Sequence, residues 1–491
     1  MSQLQRLLVL VNLLGFTAML FAFLMLIPAG VSLYLGESTF PAFRDAFLGT
    51  LLAGGAVFLA SRTRQPLRWP DGFLLVALTW LVLPLVASVP IWLYFNRAGI
   101  PITFTHAYFE AASGLTTTGS SVLNHLQSLP TTIHVWRATL TWIGGLGVLV
   151  LTVAVLPHLG VGGSQVMRAE TPGPMKDEKL TPRIASTAKG MYAIYLGLSA
   201  ACALAYYLAG MRGTDVFVHM AATVSLGGFS TRDQGLAAFN SPAIEWVAMV
   251  FMLISGISFA THFNAIRYRS LGPYRRCAET PYFLAISLGL GVFVSAWLYH
   301  RGIYATPEEA LRYGMFNTIS VVTTTGFANT NYDAWPVFIP LLLLIFSCFT
   351  VSSASPGSGL KLIRMVLLLK HARLELLRVV HPRVVAPLRL GARLIDARVM
   401  QGILAFLFLY LTTLAIASLL LMGSGLEPMT AFTAALACLN NLGPGLGEVG
   451  PAGSYHLFTT FQTWVCTAMM LLGRLELVTV LVLFTPTFWR R

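Results

Sequence analysis

Four short segments that end in glycine recur along this chain at similar spacing. Two are nearly identical, Thr116-Thr117-Thr118-Gly119 and Thr323-Thr324-Thr325-Gly326, and two are weaker copies, Ser225-Leu226-Gly227-Gly228 and Asn440-Asn441-Leu442-Gly443. They lie roughly 100 residues apart, which is too long a period for a solenoid but fits one large membrane hairpin repeated four times. Four backbone segments of this kind are what a ring of carbonyl oxygens around a permeating cation requires.

The composition places these segments in a membrane. Hydrophobic residues make up 56% of the 491 residues, charged residues make up 10%, and the mean hydropathy is +0.72. A soluble chain cannot bury that much apolar surface. The net charge of +13 comes from Lys and Arg in alternate loops, which indicates a cytoplasmic positive-inside bias rather than nucleic-acid binding. A minority of the basic residues, including Arg137 and Arg312, are assigned to the outer face.

The sequence predicts an all-α polytopic membrane protein with ten spans and both termini inside. The apolar N-terminal run has no cleavage site and is predicted to be a retained span. The predicted spans are 7–34, 44–61, 72–95, 134–157, 190–209, 243–263, 281–299, 336–372, 399–422 and 456–484. The predicted units are an N-terminal hairpin at 1–70 and four repeats at 71–189, 190–280, 281–398 and 399–491.

Each glycine-ended turn closes a short helix that lies between two predicted spans. These half-helices are predicted to begin near Thr103, Thr214, Thr306 and Glu427, and they are too short or too polar to cross a bilayer of about 30 Å. The clearest start is at Thr306, a capping residue followed by proline and two glutamates. The partially negative end of each half-helix therefore points at its turn, which favours cations over anions.

The closing segment of the third repeat, 336–372, is longer than one span and is interrupted by small and polar residues. The interruption is Ser352-Ser353-Ala354-Ser355-Pro356-Gly357-Ser358-Gly359. Such a segment cannot satisfy its backbone in lipid, so it must be buried in protein or line a wet cavity. Ser352, Ser353, Pro356, Gly357 and Gly359 are therefore candidate gate residues. Lys361, directly after them, is either a second cavity cation or a snorkelling side chain.

These motifs resemble the Trk/Ktr/HKT superfamily of potassium transporters, and most of all its bacterial TrkH branch. The residues that carry the resemblance are 113–119, 225–231, 322–327 and 440–447, and the resemblance covers nearly the whole chain. It implies a channel-like pore of four membrane–pore helix–membrane repeats in one polypeptide of the bacterial inner membrane. It also implies potassium as the transported ion, no organic cofactor in this chain, and a homodimer.

In this family the carbonyls just before each filter glycine hold the ion. Matched onto this chain, the implied potassium site consists of Thr117, Thr118, Gly119, Leu226, Gly227, Gly228, Thr324, Thr325, Gly326, Asn441, Leu442 and Gly443. The second and fourth turns depart from the threonine pattern, as they do in the family. The expected ring is therefore less symmetric than that of a tetrameric channel.

The resemblance also assigns a gate. Residues 352–359 occupy the place of the family's intramembrane loop, although this loop contains more serine than its relatives, and Pro356 as well. Arg474 matches an arginine that the family places beneath the filter. The alternative is that Arg474 forms a structural pair with Glu476 or with backbone; a lipid-facing arginine is too unfavourable to consider.

The basic stretch 370–398 has two interpretations. It is either a surface for anionic lipid head groups or, as the resemblance implies, a docking surface for a cytoplasmic nucleotide-binding regulatory ring of the TrkA type. No nucleic-acid partner is expected.

An intramembrane enzyme or a carrier with a midplane site is the competing class of function. Either would need paired titratable groups, but the sequence has no HExxH, no nucleotide loop with lysine, and few intramembrane carboxylates besides Glu110 and Glu476. The sequence therefore predicts a transporter without enzymatic activity. Potassium symport coupled to protons or sodium is the alternative to gated, channel-like permeation.

Overall fold

The structure is a computed structural model that describes residues 3–63, 69–100, 102–147, 184–353, 355–384, 387–390, 393–475 and 477–489. Helices dominate these ranges. The strands that they contain are Arg389–Leu390 and Arg393–Leu394, paired antiparallel. The predicted all-α polytopic fold is confirmed.

Two antiparallel helical arms form the N-terminal hairpin. The first arm comprises the α-helices Gln3–Ala22 and Leu26–Leu35, joined by the 3-10 turn Phe23–Met25, and the second is the helix Phe40–Ala60. Gly15 and Gly54 face each other where the arms cross. A Cβ at Gly15 would lie 2.9 Å from the Gly54 carbonyl oxygen, so glycine is what allows the two backbones to approach.

Glu37, in the loop between the arms, attaches the hairpin to the first repeat. Its carboxylate accepts the N–H groups of Thr131 and Thr132 at 2.7 and 3.0 Å, and so it caps the helix Thr131–Leu146. Burial acts to raise the pKa of the Glu37 carboxyl, but hydrogen bonds from Thr132 and Thr131 lower it on balance. The carboxylate form is therefore favoured at this contact.

Every repeat opens with a long apolar helix and continues into a half-helix. The opening helices are Trp69–Arg97, Ile184–Leu208, Thr280–His300 and Ala397–Gly423. Half-helices 1 to 4 are Phe104–Leu115, Thr214–Val224, Pro307–Val322 and Pro428–Leu439. The predicted starts are confirmed. The side chains of Thr103 and Thr306 accept the N–H groups of His106 and Glu309, each at 3.2 Å.

The helices that close the repeats are short or broken. Their pieces are Thr131–Leu146; Pro242–Gly256, Phe259–Tyr268 and Gly272–Arg276; Phe338–Ser347 and Leu362–Val380; and Thr460–Leu475, Leu477–Leu481 and Pro486–Trp489. Within the described ranges, six helices can cross a membrane by length and composition, or seven if one bent pair counts as a span. These six are the two hairpin arms and the four opening helices.

The predicted span 243–263 is a bent pair of helices rather than one continuous helix. The chain bends by 88° between Gly256 and Phe259. Gly256 is a weak helix former that packs on the Phe283 ring, and Ile257 after it is extended. The predicted span 456–484 is also shorter than expected, since its helix begins at Thr460. The interruption predicted within 336–372 is confirmed, and the part of the predicted span 134–157 after residue 147 lies outside the described residues.

Candidate functional site

The four glycine-ended turns share one backbone conformation. The residue after each half-helix is right-handed with ψ within 8° of zero, and the next residue is left-handed although it is not glycine. These left-handed residues are Thr117, Leu226, Thr324 and Asn441, with φ of 56°, 56°, 58° and 51°. A left-handed residue with a Cβ costs roughly 1–2 kcal/mol. Four such residues at matching positions must be held by their surroundings.

Hydrogen bonds back to the half-helices hold these turns. In each turn the N–H of the residue after the left-handed one is directed into the helix. The N–H groups of Thr118, Gly227, Thr325 and Leu442 donate to the carbonyls of Ser113, Ala222, Ser320 and Ala437 at 2.8, 2.8, 2.9 and 2.8 Å. Because the amides face the helix, the turns present carbonyl oxygens on their other side.

The turns contact one another in a closed ring. A Cβ on each filter glycine would lie under 3.0 Å from the carbonyl oxygen that precedes the glycine of the next repeat. The pairs are Gly119 with Gly227, Gly228 with Thr325, Gly326 with Leu442, and Gly443 with Thr118. All four glycines also line one cavity of about 570 Å³. The structure therefore brings the twelve residues singled out in the sequence to one place.

Side chains explain why the first and third turns contain three threonines. The first and third hydroxyls of each triplet hydrogen-bond to one another, at 2.7 Å between Thr116 and Thr118 and 2.8 Å between Thr323 and Thr325. All six threonines are fully buried, and buried hydroxyls require partners. The first and third threonines therefore satisfy each other's hydroxyl within each turn.

The fourth turn uses asparagine to reach its neighbours. Asn441 Nδ2 donates to Thr118 Oγ1 and to the Met470 carbonyl, both at 2.9 Å. Asn440 accepts from the Tyr410 hydroxyl at 2.6 Å. Asn441 thus bridges repeats 4 and 1 where the threonine pattern is absent, and Asn440 ties the turn to the opening helix of its own repeat.

The loop 352–359 lies against the third turn. Ser358 N–H points at Thr324 Oγ1 at 3.4 Å, and a Cβ at Gly357 would meet the same oxygen at 2.9 Å. Ser352, Ser353, Pro356 and Gly357 are buried, and Gly359 has φ +92° near Asn440. The loop is thus buried in protein directly beside the turn.

Glu279, which the sequence analysis did not single out, supports both ends of this loop. Its Oε1 accepts the N–H groups of Ser353 and Ile363, each at 3.0 Å, and the side chain is buried. These bonds satisfy backbone that has no helix of its own. The sequence signal was weak, because Glu279 stands at the edge of a predicted span.

Arg474 connects the loop to the first repeat. Its guanidinium donates to the Pro356 carbonyl, to Thr117 Oγ1 at 3.3 Å, and to the carbonyls of Gly144 and Gly145. Its contacts are thus with the first turn, the loop and the end of the helix Thr131–Leu146. Glu476, the alternative partner, lies outside the described residues.

Two basic residues, Lys361 and Arg137, are buried in protein. Lys361 is buried and donates to the Gly357 carbonyl, so it belongs to the loop and does not snorkel. Arg137 is buried and forms an ion pair with Glu110 at 2.7 Å, although it was assigned to the outer face. Its position inside a predicted span was the signal that could have identified it.

The sequence model of the TrkH family, described as a cation transport protein, matches residues 39–290 and 292–491. The chain belongs to the TrkH family of cation transport proteins. It is 40% identical over 477 residues to the Trk system potassium uptake protein TrkH of Escherichia coli strain K12, covering 97% of this chain and 98% of that protein. It is 35% identical over 477 residues to TrkG of the same strain, covering 97% of each chain.

A solved structure agrees with these matches. The crystal structure of the potassium transporter TrkH from Vibrio parahaemolyticus matches with a TM-score of 0.89 and 37% identity over the full length of both chains. The resemblance drawn from the glycine-ended turns is confirmed. So is the fold of four membrane–pore helix–membrane repeats with an N-terminal hairpin in a multi-pass membrane protein.

Replacing Gly119 with serine is expected to change the preference among monovalent cations. The new Cβ would meet the Gly227 carbonyl, and the left-handed backbone would resist any side chain. A disturbance of about 1 kcal/mol corresponds to a selectivity change of roughly fivefold. The measurement is competition between potassium and sodium in vesicle flux.

Gly302→Ser is the matched control, because Gly302 has φ +67° but no atom within 4 Å of its Cβ position. If Gly119→Ser and the parent show the same preference for potassium over sodium, this turn does not belong to the ion pathway.

Proposed function

We propose that this protein takes up potassium across the bacterial inner membrane through the ring of four turns. The observation that carries the proposal is the closed cycle in which each filter glycine packs on the carbonyl of the next repeat. The relatives named as potassium uptake proteins support the choice of ion. The proposed ligands are the backbone carbonyls of Thr117, Thr118, Leu226, Gly227, Thr324, Thr325, Asn441 and Leu442, beside the four filter glycines.

The chemistry of the ring suits a cation. Carbonyl oxygens replace the hydration shell of the ion, and the half-helices direct the negative ends of their dipoles at the same place. Because the four turns differ in sequence, they offer potassium an asymmetric site. No group in this mechanism is required to change its protonation state.

Uptake is expected to follow the electrochemical gradient of potassium alone. Purified protein in vesicles should accumulate rubidium or potassium under a potassium diffusion potential when neither a proton nor a sodium gradient is imposed. Coupled symport is the second candidate function. If net uptake appears only when a proton or sodium gradient is imposed, the protein is a symporter and not a channel-like pore.

The loop 352–359 and Arg474 form the proposed gate. Arg474 contacts both the loop and the first turn, and Gly357 lies against the third turn. A fixed positive charge at this level opposes the passage of cations. The loop has no helix of its own, so it can move without unfolding a helix once its contacts with Glu279, Arg474 and Lys361 break.

Arg474→Ala, or shortening of the loop 352–359, is expected to raise potassium flux in the absence of any partner. Loss of the charge lowers the barrier by at least about 1 kcal/mol, or roughly fivefold in rate. The order of ion preference should not change, because Arg474 and Ser358 contact the turns at the side-chain hydroxyls of Thr117 and Thr324 and not at the carbonyls of the ring. Arg301→Ala, at an exposed arginine that lies over Trp297, is the control. If these variants fold normally and conduct potassium no faster than the parent, other residues form the gate.

A cytoplasmic nucleotide-binding ring of the TrkA type is the proposed regulator, acting on a homodimer. The basic helix Leu362–Val380 begins where the gate loop ends, so a partner bound to this helix can pull directly on the loop. Anionic lipid is the alternative occupant of the same surface.

Replacing Arg378, Arg383 and Arg389 with glutamine is expected to abolish the response of flux to a TrkA-type protein. The unregulated flux should persist, since Arg378 forms an exposed ion pair with Glu375 and such pairs contribute about 0–1 kcal/mol. Replacing Arg269, Arg275 and Arg276 with glutamine in another basic segment is the control. If flux responds instead to the anionic lipid content of the vesicles and never to the added protein, the surface binds lipid.

A further inference from the structure

Three of the four half-helices carry a buried polar side chain at the same position, nine residues before the filter glycine. These residues are Glu110, His219 and Asn317, and each is fully buried. The fourth half-helix has Ala434 there, with Thr433 beside it. Each polar residue contacts the chain just beyond its own glycine. We call these stretches the outer segments: 120–122, 229–231, 327–329 and 444–446.

Glu110 holds the outer segment of the first repeat. Its carboxylate accepts from Ser121 Oγ at 3.0 and 3.1 Å, from Val122 N–H at 3.1 Å and from Arg137 Nε at 2.7 Å. Arg137 extends the contact into the second repeat. It donates to the Ser230 carbonyl at 3.3 Å and lies 4.2 Å over the Phe229 ring.

His219 performs the same task in the second repeat. Its Nδ1 is hydrogen-bonded to the Asp215 carbonyl at 2.8 Å, so Nδ1 carries the proton and Nε2 accepts from Ser230 Oγ at 3.0 Å. The imidazole also stacks on Phe327 of the third repeat, with centroids 5.9 Å apart and planes at 29°. The second outer segment is therefore held by His219 of its own repeat and by Arg137 of the first repeat, and His219 also contacts the third outer segment.

Asn317 continues the pattern in the third repeat. Its Nδ2 donates to Asn329 Oδ1 at 2.7 Å, and Asn329 donates to Glu245 at 2.8 Å. Glu245 in turn receives two hydrogen bonds from Arg312, at 2.7 and 2.6 Å. A buried carboxylate and an arginine thus support this outer segment too.

In the fourth repeat, Thr433 and the chain beyond the turn make the corresponding contacts. Thr433 Oγ1 accepts the Leu446 N–H at 2.9 Å. The Tyr455 N–H donates to the Ser121 carbonyl of the first repeat at 3.0 Å. The same role is filled by different side chains in the four repeats.

We propose that Glu110, Arg137, His219 and Asn317 are positioning residues that set ion preference by holding the outer segments. The inference rests on the proposed function of the carbonyl ring. Each outer segment begins directly after a filter glycine, and that glycine packs on the next repeat's carbonyl. A displaced outer segment therefore displaces the ring, because close-packed interiors transmit strain. Selectivity depends on the number and arrangement of the carbonyls around the ion.

The test separates ion preference from stability. In the double variant Glu110→Gln, Arg137→Met the charged pair becomes two uncharged side chains of similar size, an exchange that proteins often tolerate without loss of stability. The variant is expected to melt close to the parent and still conduct. Its potassium-over-sodium preference should fall roughly threefold or more, the scale of coupling within one hydrogen-bond network. Asn317→Leu, of similar volume, is the independent variant in the third repeat.

Tyr206→Phe is the matched control. It removes a buried hydrogen bond of 2.7 Å to Thr223 of half-helix 2, but it touches no outer segment. Its ion preference should equal that of the parent. Suppose that Gly119→Ser changes the preference for potassium over sodium, but the double variant and Asn317→Leu keep the parent's preference. This result would overturn the positioning role and leave the ring as the filter. Parent-like preference in all of them, Gly119→Ser included, would instead reject the ring as the filter.

Discussion

The last carbonyls of a helix have no partners within the helix, and the structure brings four such ends together inside the protein. In a membrane these groups cannot turn to surrounding water, so they must meet protein or line a wet path. The left-handed residues Thr117, Leu226, Thr324 and Asn441 direct the amides back into the half-helices and leave carbonyls on the other side. The arrangement of the repeats follows from placing these four ends around one centre.

The backbones of the closing helices and the half-helices must also approach closely, and small residues allow this. Gly144 and Gly473 of the closing helices lie against the carbonyls of Leu115 and Leu439, the last residues of half-helices 1 and 4. A Cβ at either glycine would lie under 3.0 Å from those oxygens. The closing helices are therefore rich in residues that weaken helices, which is consistent with their short and broken form. Arg474 lies where the helix Thr131–Leu146 ends and donates to carbonyls of that helix's last turn.

A single polypeptide can support each quarter of a ring differently. In a symmetric tetramer one substitution changes all four turns, whereas here the turns carry threonine, leucine or asparagine and are supported by glutamate, histidine, asparagine or threonine. The closing segments of the repeats differ in the same way. Only the third repeat, within the described residues, has its closing segment replaced by the buried loop 352–359 between two helices, and Glu279 and Arg474 hold that loop from different repeats.

Local chemistry in the sequence determined the class of the protein, the four half-helices and the four turns. Capping residues, prolines at helix starts and glycines at turns act over a few residues, so Thr306 and Pro307 identified a helix start without any tertiary information. The resemblance to a known family supplied the twelve filter positions, and the order of repeats implied that they would meet.

Only the tertiary structure decided which side chains support each turn. The bend after Gly256, the burial of Arg137 beside Glu110, the support of the loop by Glu279 and the bridge from Asn441 to Thr118 were not predicted. Of these contacts, the last joins residues more than 300 positions apart. The free energy of such contacts depends on which side chains the packed repeats bring together, and no short-range pattern in the sequence carries that information.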